Sequence, residues 1–229
     1  MASPNATNRR SALRATAAAL ALLAMPRCVP GAIDIVNFES AIAAPFGALA
    51  PNPYLEGAYK FTAHGAQPLF VFTGTESSVA SDGTKAASQP IHSPDIDLAR
   101  IDGQAFSLLS LDIGELLIRR PDSTAKLVTF TGTLSGGGTV VASFVPDGIA
   151  DGPGGVADFE SFALPATFRN LLNVKITATG GVGDSGFQMD NLKLERVPEP
   201  ASVAIWGMLG VCAALGGVAR RRCTGLARR

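Results

Sequence analysis

The central part of the chain, residues 33–197, contains no cysteine. The three cysteines of the 229-residue sequence, Cys28, Cys212 and Cys223, lie near its two ends. This absence excludes a disulfide framework and a cysteine nucleophile from residues 33–197. The fold of this part must therefore be stabilised by packing, alone or together with a bound ion.

Residues 33–197 also lack tryptophan, because Trp206 lies in an apolar run near the C-terminus. Flat aromatic rings suit the faces of sugars, so the predicted glycan-binding aromatics are Tyr54 and Tyr59. Tyr54 follows the loop-like pair Asn52-Pro53. Its ring is expected either to be exposed there or to close the edge of the core.

Positive charge is scarce in the same region. The whole chain has 19 Lys and Arg and 19 Asp and Glu, but nine of the basic residues lie outside residues 33–197, which hold ten basic and eighteen acidic residues, a net charge of −8. Such a surface repels a phosphate backbone. Nucleic acid is therefore excluded as a partner.

Catalytic motifs are missing as well. Neither His64 nor His92 lies in a Gly-x-Ser-x-Gly or His-Glu-x-x-His context, and both are expected on the surface. Asp95-Ile96-Asp97 places two acids on one strand face, as glycoside hydrolysis requires, but exposed strands commonly carry such pairs. We predict that the protein is not an enzyme, and the alternative is a secreted carbohydrate-active hydrolase.

The N-terminus, residues 1–32, reads as a signal peptide. Arg9, Arg10 and Arg14 precede an apolar run over residues 15–25, which is long enough for a signal sequence and too short to cross a bilayer. The chain is therefore expected to be exported.

The other end contains an uncharged run over residues 201–219, followed by Arg220, Arg221 and Arg222 and a basic tail over residues 223–229. A helix of this run would be about 30 Å long, enough to cross the hydrocarbon core. Arginine clusters stay on the cytoplasmic side. The sequence predicts a single membrane anchor with residues 33–197 on the opposite side.

The C-terminal segment resembles a known sorting signal. Val197, Pro198, Glu199 and Pro200, the apolar run and the arginine cluster together are similar to the PEP-CTERM signal of Gram-negative bacteria. This resemblance implies an exosortase-type processing enzyme as a partner, association with extracellular polysaccharide, and a final location at the cell surface or in the extracellular matrix.

The central part is predicted to be an all-β antiparallel sandwich or jelly roll, because short Val-, Ile-, Phe- and Thr-rich segments alternate with turn residues. In residues 126–134, Val128 and Phe130 share one face and threonines share the other. Gly136, Gly137 and Gly138 predict a hairpin, and a bulge is expected near Asp190-Asn191. Predicted strands are residues 33–39, 58–63, 69–73, 106–113, 126–134, 139–145, 159–164, 174–179 and 186–195, with loops at 75–94 and 146–155.

Calcium is predicted at one of two places. Asp147, Asp151 and Asp158 occupy the first, fifth and twelfth positions of a calcium-loop spacing. Ile149 stands at the third position and no helices flank the loop, so an EF-hand is excluded, and the alternatives are a generic calcium loop and a solvated Gly/Asp loop.

The second place comes from a resemblance. The segments Val36-Asn37-Phe38-Glu39-Ser40 and Phe187-Gln188-Met189-Asp190-Asn191-Leu192 are similar to the first and last strands of jelly-roll carbohydrate-binding modules. This resemblance implies that Glu39 and Asp190 share a structural calcium. The alternative is that both acids face solvent or cap backbone groups.

Overall fold

The computed structural model describes residues 31–44, 47–65, 67–75, 79–89, 95–116, 125–147, 158–180, 186–197 and Gly210. Residues Gly31–Val197 form one compact unit. Most of the predicted signal peptide and of the predicted membrane span lies outside the described residues. Among the described residues, no helix is both long enough and apolar enough to span a bilayer.

The described residues are organised as antiparallel strands. They are β1 (Ile33–Val36), β2 (Ala48–Leu49), β3 (Tyr54–Glu56), β4 (Tyr59–His64), β5 (Phe70–Phe72), β6 (Ala86–Gln89), β7 (Asp95–Arg100), β8 (Phe106–Glu115), β9 (Leu127–Leu134), β10 (Thr139–Phe144), β11 (Phe159–Ala163), β12 (Leu171–Thr179) and β13 (Phe187–Arg196).

These strands form two arrays. The first array has the order β2-β5-β6-β13-β8, with β1 beside β13 and β11 beside β8; the second has the order β3-β4-β7-β12-β9-β10. A single pairing of Leu171 with Phe106 joins the arrays. This all-β, antiparallel architecture is consistent with the predicted sandwich.

Alternating side chains of both arrays build one main core. Phe61, Leu98, Phe130 and Ile176 in the second array are almost fully buried, as is Met189 in the first. Aromatic rings pack edge to face inside this core, with the ring centroids of Phe130 and Phe144 separated by 5.6 Å. The period-two pattern therefore explains which strand faces turn inward.

A bidentate ion pair joins the first and last strands. Arg196 Nε and Nη2 donate to Asp34 Oδ2 and Oδ1 at 2.6 and 2.8 Å, and the Tyr59 hydroxyl donates to Asp34 Oδ2 at 3.1 Å. The Arg196 guanidinium lowers the pKa of Asp34. This bidentate pair ties β13 to β1, so both ends of the compact unit are held at the same place.

All nine predicted strands are present, with bounds shifted by a few residues. The predicted hairpin between β9 and β10 and the irregularity after Asp190 are also confirmed. The prediction of a loop throughout residues 75–94 is wrong, because β6 lies within it. The sequence Ala-Ala-Ser-Gln of β6 has no alternation, since both faces of the strand are buried.

The outer face of β6 and its neighbours is covered by residues 79–84, which we call the cover segment. Val79 packs with Phe72 and Leu116 in a second, smaller core. Gly114 of β8 leaves room for Ala80, because a Cβ at Gly114 would lie 2.3 Å from the Ala80 Cβ. The same Cβ would lie 2.9 Å from the backbone oxygen of Asp158.

Replacing Gly114 by Ala should therefore force the cover segment off the sheet and lower the free energy of unfolding by about 1–3 kcal/mol. The control is Gly136→Ala, where an added Cβ meets nothing within 4 Å, and a change within about 0.5 kcal/mol is expected. Urea unfolding measures both variants. Equal stabilities would contradict the role assigned to Gly114.

Candidate functional site

Polar side chains cross the outer face of the second array in three rows. The strand registers align outward-facing residues of β4, β7, β12, β9 and β10, and none of these residues is buried. We call this set the polar face. Its rows are Lys60, Ala99, Asn173, Thr133 and Thr139; Thr62, Asp97, Lys175, Thr131 and Val141; and His64, Asp95, Thr177, Thr129 and Ser143.

The charged groups of the polar face contact one another. Lys175 Nζ donates to Asp95 Oδ2 at 2.9 Å, and this bond raises the pKa of the lysine. His64 Nε2 lies 2.9 Å from Asp97 Oδ2 and 4.0 Å from Asp95 Oδ1. Each carboxylate therefore has a nitrogen partner on the neighbouring strand.

Other polar groups of this face are open. Within the described residues, the side chains of Thr62, Thr131 and Asn173 make no hydrogen bond. Thr129 Oγ1 is 3.0 Å from Ser143 Oγ, so one hydroxyl pair is already engaged. The open hydroxyls and amide can each donate and accept, which is the chemistry that sugar hydroxyl groups require.

Sequence reasoning placed Asp95 and Asp97 on one strand face and His64 on the surface, and both placements are confirmed. It did not single out Lys175, Asn173 or Thr131. The alternating threonines of β9 marked an exposed face, but the strands beside it were not identified from the sequence.

A second polar feature lies on the first array, around Asp190. This residue is fully buried, and its Oδ2 accepts a hydrogen bond from Thr84 Oγ1 at 3.0 Å. Its Oδ1 has no hydrogen-bond partner among the described residues. Burial raises the pKa of Asp190 to about 7, and the charges of Asp82 and Asp112 add to this effect.

Glu39 lies against the residue that follows Thr84. Its Oε1 accepts the backbone N–H of Lys85 at 2.8 Å, and Lys85 Nζ donates to the carbonyls of Glu39 and Ala41 at 2.8 and 2.9 Å. Because Thr84 and Lys85 are consecutive, Asp190 and Glu39 contact the same segment, which lies just before β6.

Two observations bear on whether Glu39 and Asp190 could bind a metal ion. Among the described residues, no three His, Cys, Asp or Glu side chains are grouped as a metal site. The unpartnered Asp190 Oδ1 is nevertheless an oxygen that a cation would satisfy, and calcium also accepts backbone carbonyls as ligands. Asp190 and Glu39 contact neighbouring residues of one segment, and a calcium ion shared between them stays a prediction.

The predicted calcium loop lies partly within the described residues. Asp147 donates its backbone N–H to Glu160 Oε1 at 2.8 Å, and Asp158 lies eleven positions later in the described part. Asp151, between them, lies outside the described residues. A calcium loop at Asp147, Asp151 and Asp158 stays a prediction.

Both tyrosines predicted to bind glycan are buried, and for Tyr54 the alternative of closing the core edge is confirmed. Tyr54 is 5% exposed and Tyr59 is 0% exposed, because the Tyr54 ring packs with Phe38 and Phe61 and the Tyr59 ring packs with Phe106. Their hydroxyls donate to Glu56 at 2.5 Å and to Asp34 at 3.1 Å. Tyr54 closes the core edge, and neither ring presents a face to a sugar.

The predicted sorting segment begins with the last residue of the compact unit, Val197. Val197 donates its backbone N–H to the carbonyl of Ala105 at 3.4 Å. The remaining residues assigned to the motif lie outside the described part; they are Pro198, Glu199, Pro200, Arg220, Arg221 and Arg222.

No protein-family model matches the chain, and no curated protein matches it. Among solved structures, a mutant of a family 29 carbohydrate-binding module is similar at 11% identity and a TM-score of 0.36, covering 73% of this chain and 93% of that one. The CBM22-1 and GH10 modules of Clostridium thermocellum endo-1,4-beta-D-xylanase 10B, complexed with xylohexaose, give 11% identity, a TM-score of 0.31 and coverages of 73% and 29%.

The enzymatically active domain of a bacteriophage CBA120 tailspike protein gives 13% identity and a TM-score of 0.31, covering 62% of this chain and 20% of that one. What this chain binds is decided by its own surface residues.

The stability of the protein should depend on the protonation of Asp190. Its folded-state pKa of about 7 lies above the ordinary 3.8, so its contribution to stability is fully present below about pH 4 and is lost as pH rises through about 7. In EDTA, the free energy of unfolding of Asp190→Asn relative to that of the wild type should increase by about 2–4 kcal/mol from about pH 4 to about pH 8. Urea unfolding at the two pH values measures this; a constant difference would contradict it.

Proposed function

We propose that this protein is exported, anchored at the cell envelope, and binds extracellular polysaccharide on its polar face without catalysis. The observation that carries the proposal is the row pattern of that face. Hydroxyl, amide and charged groups from β4, β7, β12, β9 and β10 lie side by side and exposed. A polysaccharide chain offers a matching series of hydroxyl groups.

The dimensions of the face suit a chain rather than a single sugar. Neighbouring strands lie about 4.8 Å apart, so the five strands of each row span about 19 Å. An extended polysaccharide lying across the strands would meet a new set of side chains at each strand. Rigid strands hold these groups in place, which reduces the entropy lost on binding.

The ends of the sequence support the location. The proposal takes residues 1–32 as the export signal, residues 201–219 as the anchor, and the Val197-Pro198-Glu199-Pro200 motif with its arginine cluster as the substrate of an exosortase-type enzyme. The final site would be the cell surface or extracellular matrix, where polysaccharide is present.

The engagement of the acids supports a non-catalytic role. A glycoside hydrolase needs one carboxyl group free to protonate the leaving oxygen. On the polar face, Asp95 is held by Lys175 and Asp97 by His64. Each carboxylate thus has its Oδ2 engaged, while its Oδ1 is buried away from solvent, which favours a binding role.

Binding should be lost when open groups of the polar face are removed. In affinity electrophoresis of the purified full chain with soluble envelope and capsular polysaccharides, the wild type should be retarded by at least one of them. The double variant Asn173→Ala, Thr131→Ala should bind about tenfold more weakly, since each hydrogen bond contributes about 0.5–1.5 kcal/mol.

The control is Thr167→Ala, an exposed threonine outside the rows of the polar face, in the connection between β11 and β12, and it should bind as the wild type does. Absence of retardation by any polysaccharide, or equal loss in the control, would contradict the proposal.

We also propose that calcium binds at Glu39 and Asp190 and stabilises the fold. At about pH 8, where Asp190 is mostly ionised, calcium in excess should raise the melting temperature of the wild type. Glu39→Gln and Asp190→Asn should respond much less. Equal melting temperatures of the wild type in calcium and in EDTA would show that this site does not bind the ion.

A further inference from the structure

The charged side chains of the polar face cancel one another. Besides His64, the face carries two lysines, Lys60 and Lys175, and two aspartates, Asp95 and Asp97. The Lys175 ammonium is held at 2.9 Å by Asp95, and the Asp97 carboxylate is in contact with His64. The formal charges of these two lysines and two aspartates therefore sum to zero.

The groups left open at the centre of the face are uncharged. Within the described residues, Thr62, Thr131 and Asn173 make no side-chain hydrogen bond. An uncharged ligand can bond to these groups without breaking an ion pair. At this centre the cation that a carboxylated ligand would need is the Lys175 ammonium, and Asp95 already holds it. The second lysine of the face, Lys60, lies in the outermost strand of its first row, on β4.

The net charge of the compact unit also disfavours the binding of acidic ligands. Residues 33–197 have a net charge of −8, which repels a polyanion at low ionic strength. Both the local pairing and the overall charge oppose the binding of acidic polysaccharides.

Resting on the proposed function, we infer that the polar face selects uncharged polysaccharides and that Asp95 determines this specificity by occupying Lys175. The side chain of Lys175 is 47% exposed, so its ammonium becomes accessible once the carboxylate of Asp95 is removed. Asp95→Asn keeps the shape of the side chain and frees the cation. That variant gains a binding site for carboxylated glycans.

The test uses the full chain and matched pairs of probes: hydroxyethyl cellulose with carboxymethyl cellulose, and dextran with carboxymethyl dextran. Affinity electrophoresis at low ionic strength compares the two members of each pair. The wild type should be retarded at least about fivefold more strongly by the neutral member, and Asp95→Asn should gain retardation by the carboxymethylated member. Added salt should abolish that gain, because it screens the new attraction.

Glu195→Gln is the matched control. Glu195 also holds a cation, with Arg169 Nη1 3.3 Å from its Oε2, but on the first array. This variant makes the same change in net charge and frees an arginine, and it should not gain binding to the carboxymethylated probes. Adding Lys175→Gln to Asp95→Asn should remove the gained binding.

The outcomes separate the two proposals. If the wild type binds the carboxymethylated member of a pair as tightly as the neutral one, the specificity inference is wrong and the proposed function stands. An equal gain in Glu195→Gln would also overturn the inference, since net charge alone would then explain it. If neither these probes nor the wider set of polysaccharides retards the wild type, the proposed function fails and the inference fails with it.

Discussion

The antiparallel pairing of β13 with β8 is the interaction on which the rest of the structure depends. It runs from Phe187 opposite Glu115 to Arg196 opposite Phe106, and β13 also pairs with β6 and with β1 on its other side. Strict alternation cannot bury both Met189 and Leu192, which are three positions apart. The register shift after Asp190, with Asn191 at a φ of 50°, resets the alternation so that both side chains reach the core.

The same strand explains why the two arrays have different outer surfaces. Because Phe187 and Met189 face the core, Gln188 and Asp190 face outward, yet both are fully buried. The cover segment lies over this part of the first array, where Gly114 provides the space for Ala80. A buried carboxyl group is costly unless it is protonated or paired, which is the physical reason for the raised pKa of Asp190. In the described part of the second array, the rows of the polar face have no such cover and remain accessible to a ligand.

Local patterns predicted much of this arrangement, and contacts distant in sequence did not follow from them. The alternation of Val128, Thr129, Phe130 and Thr131 was sufficient to predict a strand with one exposed threonine face. The contacts that give the polar face its character join residues far apart in the chain: His64 with Asp97, 33 positions apart, and Lys175 with Asp95, 80 positions apart. No periodicity encodes such pairs, because they depend on which strands become neighbours.

The absence of aromatic rings from the rows of the polar face determines what kind of binding it can support. Stacking of a ring on a sugar buries apolar area, whereas exchanging hydrogen bonds with water for hydrogen bonds with a glycan contributes only about 0.5–1.5 kcal/mol each. A single copy of this protein would therefore hold a polysaccharide weakly. Under the proposed anchoring, many copies share one surface and one long polymer can contact several of them. Each further contact is then intramolecular, so the overall affinity rises without any increase in the strength of a single site. In the proposed function, anchoring at the envelope therefore compensates for weak binding by each single face.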